Sequence, residues 1–188
     1  MKKNGFTLVE LLAVIAILAI LVIIALPNVM GMFNTAKKNS FSNEVKEVIK
    51  QGKTQFVTDS GLNFGGGVTS LLCYQNKMEG NSDDTVSVSS VNAKKLDMSG
   101  RSISYALCFD QANRITSLAA TDGTYFVTCD GTDIQEQTIT VADGAYSATN
   151  SEHNCKIFTI TDTAGKTGAK IVWDASTKKV SAVLTPTN

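Results

Sequence analysis

Every residue from 11 to 26 is apolar, and Phe6, Thr7, Leu8, Val9 and Glu10 lead into that run. As a helix, residues 6–26 reach about 31 Å at 1.5 Å per residue, enough to cross a hydrocarbon core. Lys2 and Lys3 precede the run, and no comparable basic pair follows until Lys37 and Lys38. That bias holds the N-terminus on the cytoplasmic side and sends the rest of the chain outward. Beyond Met32 and Phe33 the composition turns charged, yet apolar residues persist at Phe41, Val45, Val48, Ile49 and Phe56, close to helical spacing. Lys37, Lys38, Glu44, Lys46, Glu47, Lys50 and Lys53 mostly fill the other faces. The pattern predicts one helix from Phe6 to about Thr58, apolar all round and then amphipathic, stopping near Asp59-Ser60-Gly61. Its apolar stripe is expected to pack on a sheet.

From residue 61 the chain is rich in Gly, Ser, Thr, Asn and Asp, with short strand-like runs between turn signals. Strands are expected at 102–109, 114–120, 124–129, 138–141, 156–161, 169–174 and 179–184, with short elements at 70–74 and 85–91. Asp122-Gly123 and residues 174–178 read as hairpin turns, so neighbouring strands should be antiparallel. The expected fold is α+β: a long N-terminal α-helix, membrane-spanning in its first half and amphipathic in its second, packed on a C-terminal antiparallel β-sheet domain. With 188 residues there is room for one such domain plus the N-terminal extension.

Lys plus Arg and Asp plus Glu both number 17, so bulk charge points to no nucleic-acid partner. The four cysteines, Cys73, Cys108, Cys129 and Cys155, all lie beyond the first helix, without C-x-x-C or zinc-finger spacing. An even count downstream of an export signal favours disulfides. Three pairings are possible; pairing in sequence order, Cys73 with Cys108 and Cys129 with Cys155, is preferred over the other two.

Little else carries chemistry. His153 is the single histidine, too few for a zinc site or a Ser-His-Asp relay without distant partners. Asp130-Gly131-Thr132-Asp133 lacks the remaining positions of a calcium loop and reads as a surface turn. Gly65-Gly66-Gly67 lacks the lysine of a phosphate-binding loop, and Asp83-Asp84 reads as a solvated pair. No enzymatic activity, cofactor or metal is expected.

Glu10 is the exception, because a carboxylate in a membrane segment costs a few kcal/mol on insertion scales and is a functional candidate by default. An ordinary secretory signal does not account for it, and no clear A-x-A cleavage site follows the apolar run. The stretch Lys2-Lys3-Asn4-Gly5-Phe6-Thr7-Leu8-Val9-Glu10 resembles the type IV prepilin signal. The resemblance implies cleavage between Gly5 and Phe6, N-methylation of Phe6, and a role for Glu10 in docking subunits into a filament. It also implies a leader at 1–5, a helix at 6–60 with 6–26 in the membrane or filament core, and a pilin head at 61–188. Removing the leader takes away Lys2 and Lys3, leaving 15 basic and 17 acidic side chains.

Physically, the cut would place an ammonium on Phe6 in the same apolar layer as Glu10, so a pair between neighbouring subunits would reduce the cost of burying both and fix their register. Pro27 removes the amide that would bond the Ile23 carbonyl, so a kink or loosened turn is expected there; in related pili this stretch melts as subunits pack. Implied partners are further copies of the chain and other pilins, a prepilin peptidase, an assembly ATPase, a platform protein, and the cytoplasmic membrane before assembly outside the cell. A type II secretion or competence pseudopilin shares the same signal. A membrane-anchored binding or enzymatic domain is the reading from another class.

Overall fold

A computed structural model of the chain describes residues 7–62, 72–75, 93–94, 96, 98, 103–110, 112–144, 146, 154–160, 165–174, 176–177 and 179–186. A single long helix, α1 (Leu8–Leu62), leads into strands β1 (Leu72–Gln75), β2 (Ala93–Lys94), β3 (Ser104–Phe109), β4 (Ile115–Thr121) and β5 (Tyr125–Asp130). A 3-10 turn at Glu136–Thr138 precedes β6 (Thr140–Val141), β7 (Lys156–Thr159), β8 (Lys166–Asp174) and β9 (Lys179–Pro186). The chain divides into two compact units, Met1–Lys37 and Lys38–Asn188. The fold is α+β, an apolar N-terminal helix followed by a largely antiparallel sheet.

In the second unit the described strands form a sheet in the order β2-β1-β3-β4-β5-β7-β6, while β8 and β9 pair as a separate hairpin. Strands β1, β3, β4, β5 and β7 run antiparallel to their neighbours in that series, and Asp122-Gly123 forms the β4–β5 turn. Gly123 there has φ of +85°, a conformation that glycine adopts without strain. Asp122 Oδ1 fixes the turn by accepting from the backbone N–H groups of Thr124 and Tyr125 at 2.8 and 2.7 Å.

The apolar stripe of α1 is buried as its spacing requires: Phe41, Val45, Val48, Ile49 and Phe56 join Tyr74, Tyr105, Leu107, Phe109, Leu118, Tyr125 and Val127 in one core. Rings of Phe56 and Phe109 stack with centroids 4.8 Å apart, and Tyr74 meets Phe109 edge-on at 5.8 Å. Each large side chain buried this way contributes about 1.5–3 kcal/mol. Gly52 lies buried within the same face, and a Cβ there would come within 2.6 Å of Leu107 Cδ1. The missing side chain lets the helix settle close to β3.

The helix ends at Leu62, beside the Asp59-Ser60-Gly61 stop that composition suggests. Asp59 is buried, and its carboxylate accepts hydrogen bonds from Tyr74 Oη at 2.8 Å and from Gln55 Nε2 at 3.1 Å. These bonds tie the last turns to β1, and tertiary contact of this kind overrides weak local propensity.

Both faces of the central strands are covered. Along β3, Tyr105, Leu107 and Phe109 point to the helix, while Ala106 and Cys108 face a second core with Cys73, Ala119, Ile171 and Val180. The β8–β9 hairpin supplies that second cover. Phe126 and Phe158 meet Ala169, with Tyr146 packed edge-on to both rings. Hydroxyls of the sheet face receive the hairpin backbone: the Val180 N–H donates to Ser117 Oγ at 3.1 Å and the Ala182 N–H to Thr128 Oγ1 at 2.9 Å.

Two strands are shorter than the expected runs. Residues 138–141 give a 3-10 turn and then only Thr140–Val141, and β7 stops at Thr159. Two pairings, β1 with β2 and β6 with β7, are parallel, and each joins strands separated in sequence by more than a dozen residues, the length a parallel pair requires. The expected element at 85–91 lies outside the described residues.

Two disulfides brace the sheet. Cys73 and Cys108 are direct cross-strand partners of β1 and β3 with Cα atoms 4.1 Å apart. Cys129 of β5 is joined to Cys155, just before β7, with Cα atoms 4.4 Å apart. Both bonds are buried, the first on the hairpin side and the second in the helix-side core.

Two expectations follow. Gly52→Val should destabilise the protein by about 1–3 kcal/mol through overpacking against Leu107 and Phe109; an unchanged midpoint in chemical denaturation of the full chain in detergent would disprove the close fit. At the β8–β9 turn, hydrogen bonds from the Ser176 hydroxyl and backbone, then from Thr177, lower the Asp174 carboxyl from 3.8 to about 2. The folded value lies below the unfolded one, so this turn's contribution should be complete above about pH 4 and lost as the pH falls through about 2. Carboxyl NMR should place the Asp174 midpoint well below that of an unstructured aspartate.

Candidate functional site

In the first unit the described side chains of α1 up to Lys37 are exposed, among them Leu8, Leu12, Ile15, Leu18, Ile23, Met30 and Phe33. The helix is long and apolar enough to cross a membrane. Within the apolar segment Glu10 is the one charged side chain.

Glu10 is not a loose charge in this segment. Its Oε2 accepts from the Thr7 backbone N–H at 2.9 Å and from Thr7 Oγ1 at 2.6 Å, while the Glu10 N–H donates to Thr7 Oγ1 at 3.3 Å. This is a reciprocal capping box, with Thr7 before the first helical residue and Glu10 three positions on. It satisfies two backbone N–H groups that the first turn of a helix otherwise leaves open. In an apolar environment each such group left unpaired would cost several kcal/mol. The carboxylate also sits at the helix N-terminus, where the backbone dipoles favour negative charge. Glu10 Oε1 has no partner among the described residues.

Thr7 is the residue that a reading of Glu10 as a charge alone leaves out. The signal that finds it is the spacing Thr7-x-x-Glu10 just ahead of an apolar run. Gly5 and Phe6 lie outside the described residues. Pro27 lies inside α1, and the helix continues through it. Four residues later the Gly31 carbonyl accepts from Thr35 Oγ1 at 3.1 Å, a side-chain bond of the type that accompanies helix bending.

The remaining candidates separate. Asp130, in the loop that resembles part of a calcium site, pairs with Lys179 Nζ at 2.6 Å through Oδ1. Among the described residues no group of three or more His, Cys, Asp or Glu side chains is placed to hold a metal ion. His153, Gly65-Gly66-Gly67 and Asp83-Asp84 lie outside the described residues.

Residues 1–26 match the family described as the prokaryotic N-terminal methylation motif, so the chain begins with a type IV prepilin-type signal. The match supports the type IV pilin and pseudopilin group in general, whose members are processed by a prepilin peptidase and assemble into pilus-like polymers. No curated protein and no solved structure matches the chain. The motif together with the apolar helix fits anchoring in a membrane followed by assembly outside the cell.

Thr7→Val keeps the shape of the cap but removes its hydroxyl. It should weaken the first turn by about 1 kcal/mol, seen as roughly fivefold faster amide hydrogen exchange at the start of α1 in micelles. Exchange rates equal to those of the unsubstituted chain would show that the capping box contributes nothing.

Proposed function

We propose that this chain is a structural subunit of an extracellular type IV pilus, polymerised through its N-terminal helix. The prepilin is inserted in the cytoplasmic membrane with residues 6–26 across it and the head, 61–188, outside. A prepilin peptidase cuts between Gly5 and Phe6, the new Phe6 amine is methylated, and an assembly ATPase with its platform protein drives the subunit into the filament.

The observation that carries this reading is a single acid, Glu10, held in an exposed apolar helix within a prepilin-type signal. Burying the apolar segment among neighbouring helices removes that carboxylate from water, and a buried charge requires a cation and hydrogen bonds. The cut supplies the cation. Thr7 occupies Glu10 Oε2 within the subunit, leaving Oε1 to receive the Phe6 ammonium of an adjacent copy. The pair selects one axial register among the many that a uniformly apolar helix would permit. Pro27, which gives the helix one backbone bond fewer, marks where it extends as subunits pack.

Mass spectrometry of the mature protein should find a chain beginning at Phe6 and carrying one added methyl on its amine. An intact Met1, or a cut beyond Leu26, overturns the assignment. Glu10→Ala should still be cleaved yet lose filament incorporation more than a hundredfold, because the Phe6 ammonium would be buried alone at a cost of about 3 kcal/mol or more. Normal filament yield from that variant would remove the charge pair from the mechanism.

A further inference from the structure

Three turns of the second unit line an open groove of about 390 Å³. They are the turn between β3 and β4, the segment that follows β5, and the turn between β8 and β9, with Thr116 of β4 and Lys179 of β9 beside them. The volume lies within the roughly 300–1,000 Å³ usual for small-molecule sites.

The described residues of the first turn are tied together by Asp110. Asp110 Oδ1 accepts from the backbone N–H groups of Ala112 and Arg114, both at 2.9 Å, and Asp110 Oδ2 receives Arg114 Nε and Nη2, both at 2.8 Å. The guanidinium is thereby fixed in orientation, with Nη1 uncommitted among the described residues. The second turn is pinned by the Gly131 N–H, which donates to the Thr116 carbonyl at 3.2 Å, and by Asn154, whose Oδ1 accepts from the Asp130 N–H at 2.7 Å. Lys179 is held by Asp130 Oδ1. The Thr132 hydroxyl lines the groove with no partner among the described residues, and Thr116 Oγ1 donates to the Cys108 carbonyl and keeps accepting capacity.

The balance of these groups selects the ligand. Arg114 and Lys179 disfavour a cation, while Asp110 and the adjacent Asp130 disfavour a phosphate or sulfate, which would also need donors only. No aromatic or aliphatic residue among those described lines the groove, and its apolar surface is that of Thr methyl groups and Arg and Lys methylenes, which suits the C–H faces of a polyol better than a large apolar ligand. What remains is a ligand that both donates and accepts at closely spaced positions and bears no charge. Each hydroxyl of a sugar does so.

We propose that this groove binds a neutral, hydroxyl-rich ligand of the size of a mono- or disaccharide. Arg114 Nη1 and Lys179 Nζ donate to ring hydroxyls, Thr132 donates and accepts, and the carboxylates orient the two cations.

The test is amide NMR of the isotope-labelled full chain in amine-oxide micelles, which carry no sugar headgroup. Glucose, galactose, mannose, N-acetylglucosamine and maltose are added in turn at millimolar concentration, with inorganic phosphate and calcium chloride as separate additions. At least one sugar should shift signals confined to 110–116, 131–132 and 176–179. Arg114→Ala, which leaves the Asp110 Oδ1 bonds to the turn backbone in place, and Thr132→Val, which conserves shape, should each weaken that response at least fivefold. Shifts with phosphate or calcium but with none of the sugars overturn the proposal. So do no shifts at all, or a sugar response undiminished in both variants.

Discussion

The second unit depends on the fit of one helix face against one strand. Val48, Ile49 and Phe56 flank Gly52, and Leu107 and Phe109 fill the space in front of it. Once the helix settles there, the sheet must present its bulky side chains to that side, and β3 does so at Tyr105, Leu107 and Phe109. The alternate positions are then free to be small, and Ala106, Cys108, Ala119 and Ser117 occupy the other face. Small residues let a second layer approach closely enough for backbone N–H groups of β9 to reach sheet hydroxyls. The asymmetry in side-chain size is thus what makes three layers possible in a domain of this length. Cys73–Cys108 and Tyr74–Asp59 extend the same logic to β1, which is fastened on one face by a covalent bond and on the other by a buried hydrogen bond.

The first unit follows the opposite rule. Its described apolar side chains are exposed, so their burial is left to lipid or to other copies of the helix. Under that constraint the polar groups of the first turn carry unusual weight. Thr7 and Glu10 close the open backbone donors between them, and the acid performs this local service with one oxygen while the other stays available. A carboxylate that already has a structural partner is less costly to hold in an apolar setting than an isolated one.

How far the sequence discloses this depends on the range of the interactions. The helix stripe at Phe41, Val45, Val48, Ile49 and Phe56 is legible because helical periodicity is a local property, and the Asp122-Gly123 hairpin because its turn chemistry is. The separate β8–β9 layer is hidden. Strand β3 is buried on both faces, so it lacks the alternation of polar and apolar residues that marks a sheet with one wet side. Parallel pairing of β1 with β2 and of β6 with β7 depends on chain ends meeting across intervening segments, which no local pattern encodes. Disulfides are foreshadowed by an even cysteine count behind an export signal, whereas the choice among pairings comes from β-sheet register. The Thr7-x-x-Glu10 cap is written plainly in the sequence, but attention to the charge obscures the hydrogen bond. The groove beside Arg114 is illegible, since its walls come from three turns far apart in the chain.

The hydroxyls of Ser117 and Thr128 have one further effect. By accepting the Val180 and Ala182 N–H groups they satisfy backbone donors of β9 that packing against the sheet removes from water. Left without a partner, each buried donor would cost the hairpin about 1–3 kcal/mol. Side chains of the sheet thus do for β9 what a neighbouring strand would otherwise do, and let the hairpin lie on the sheet as a layer of its own.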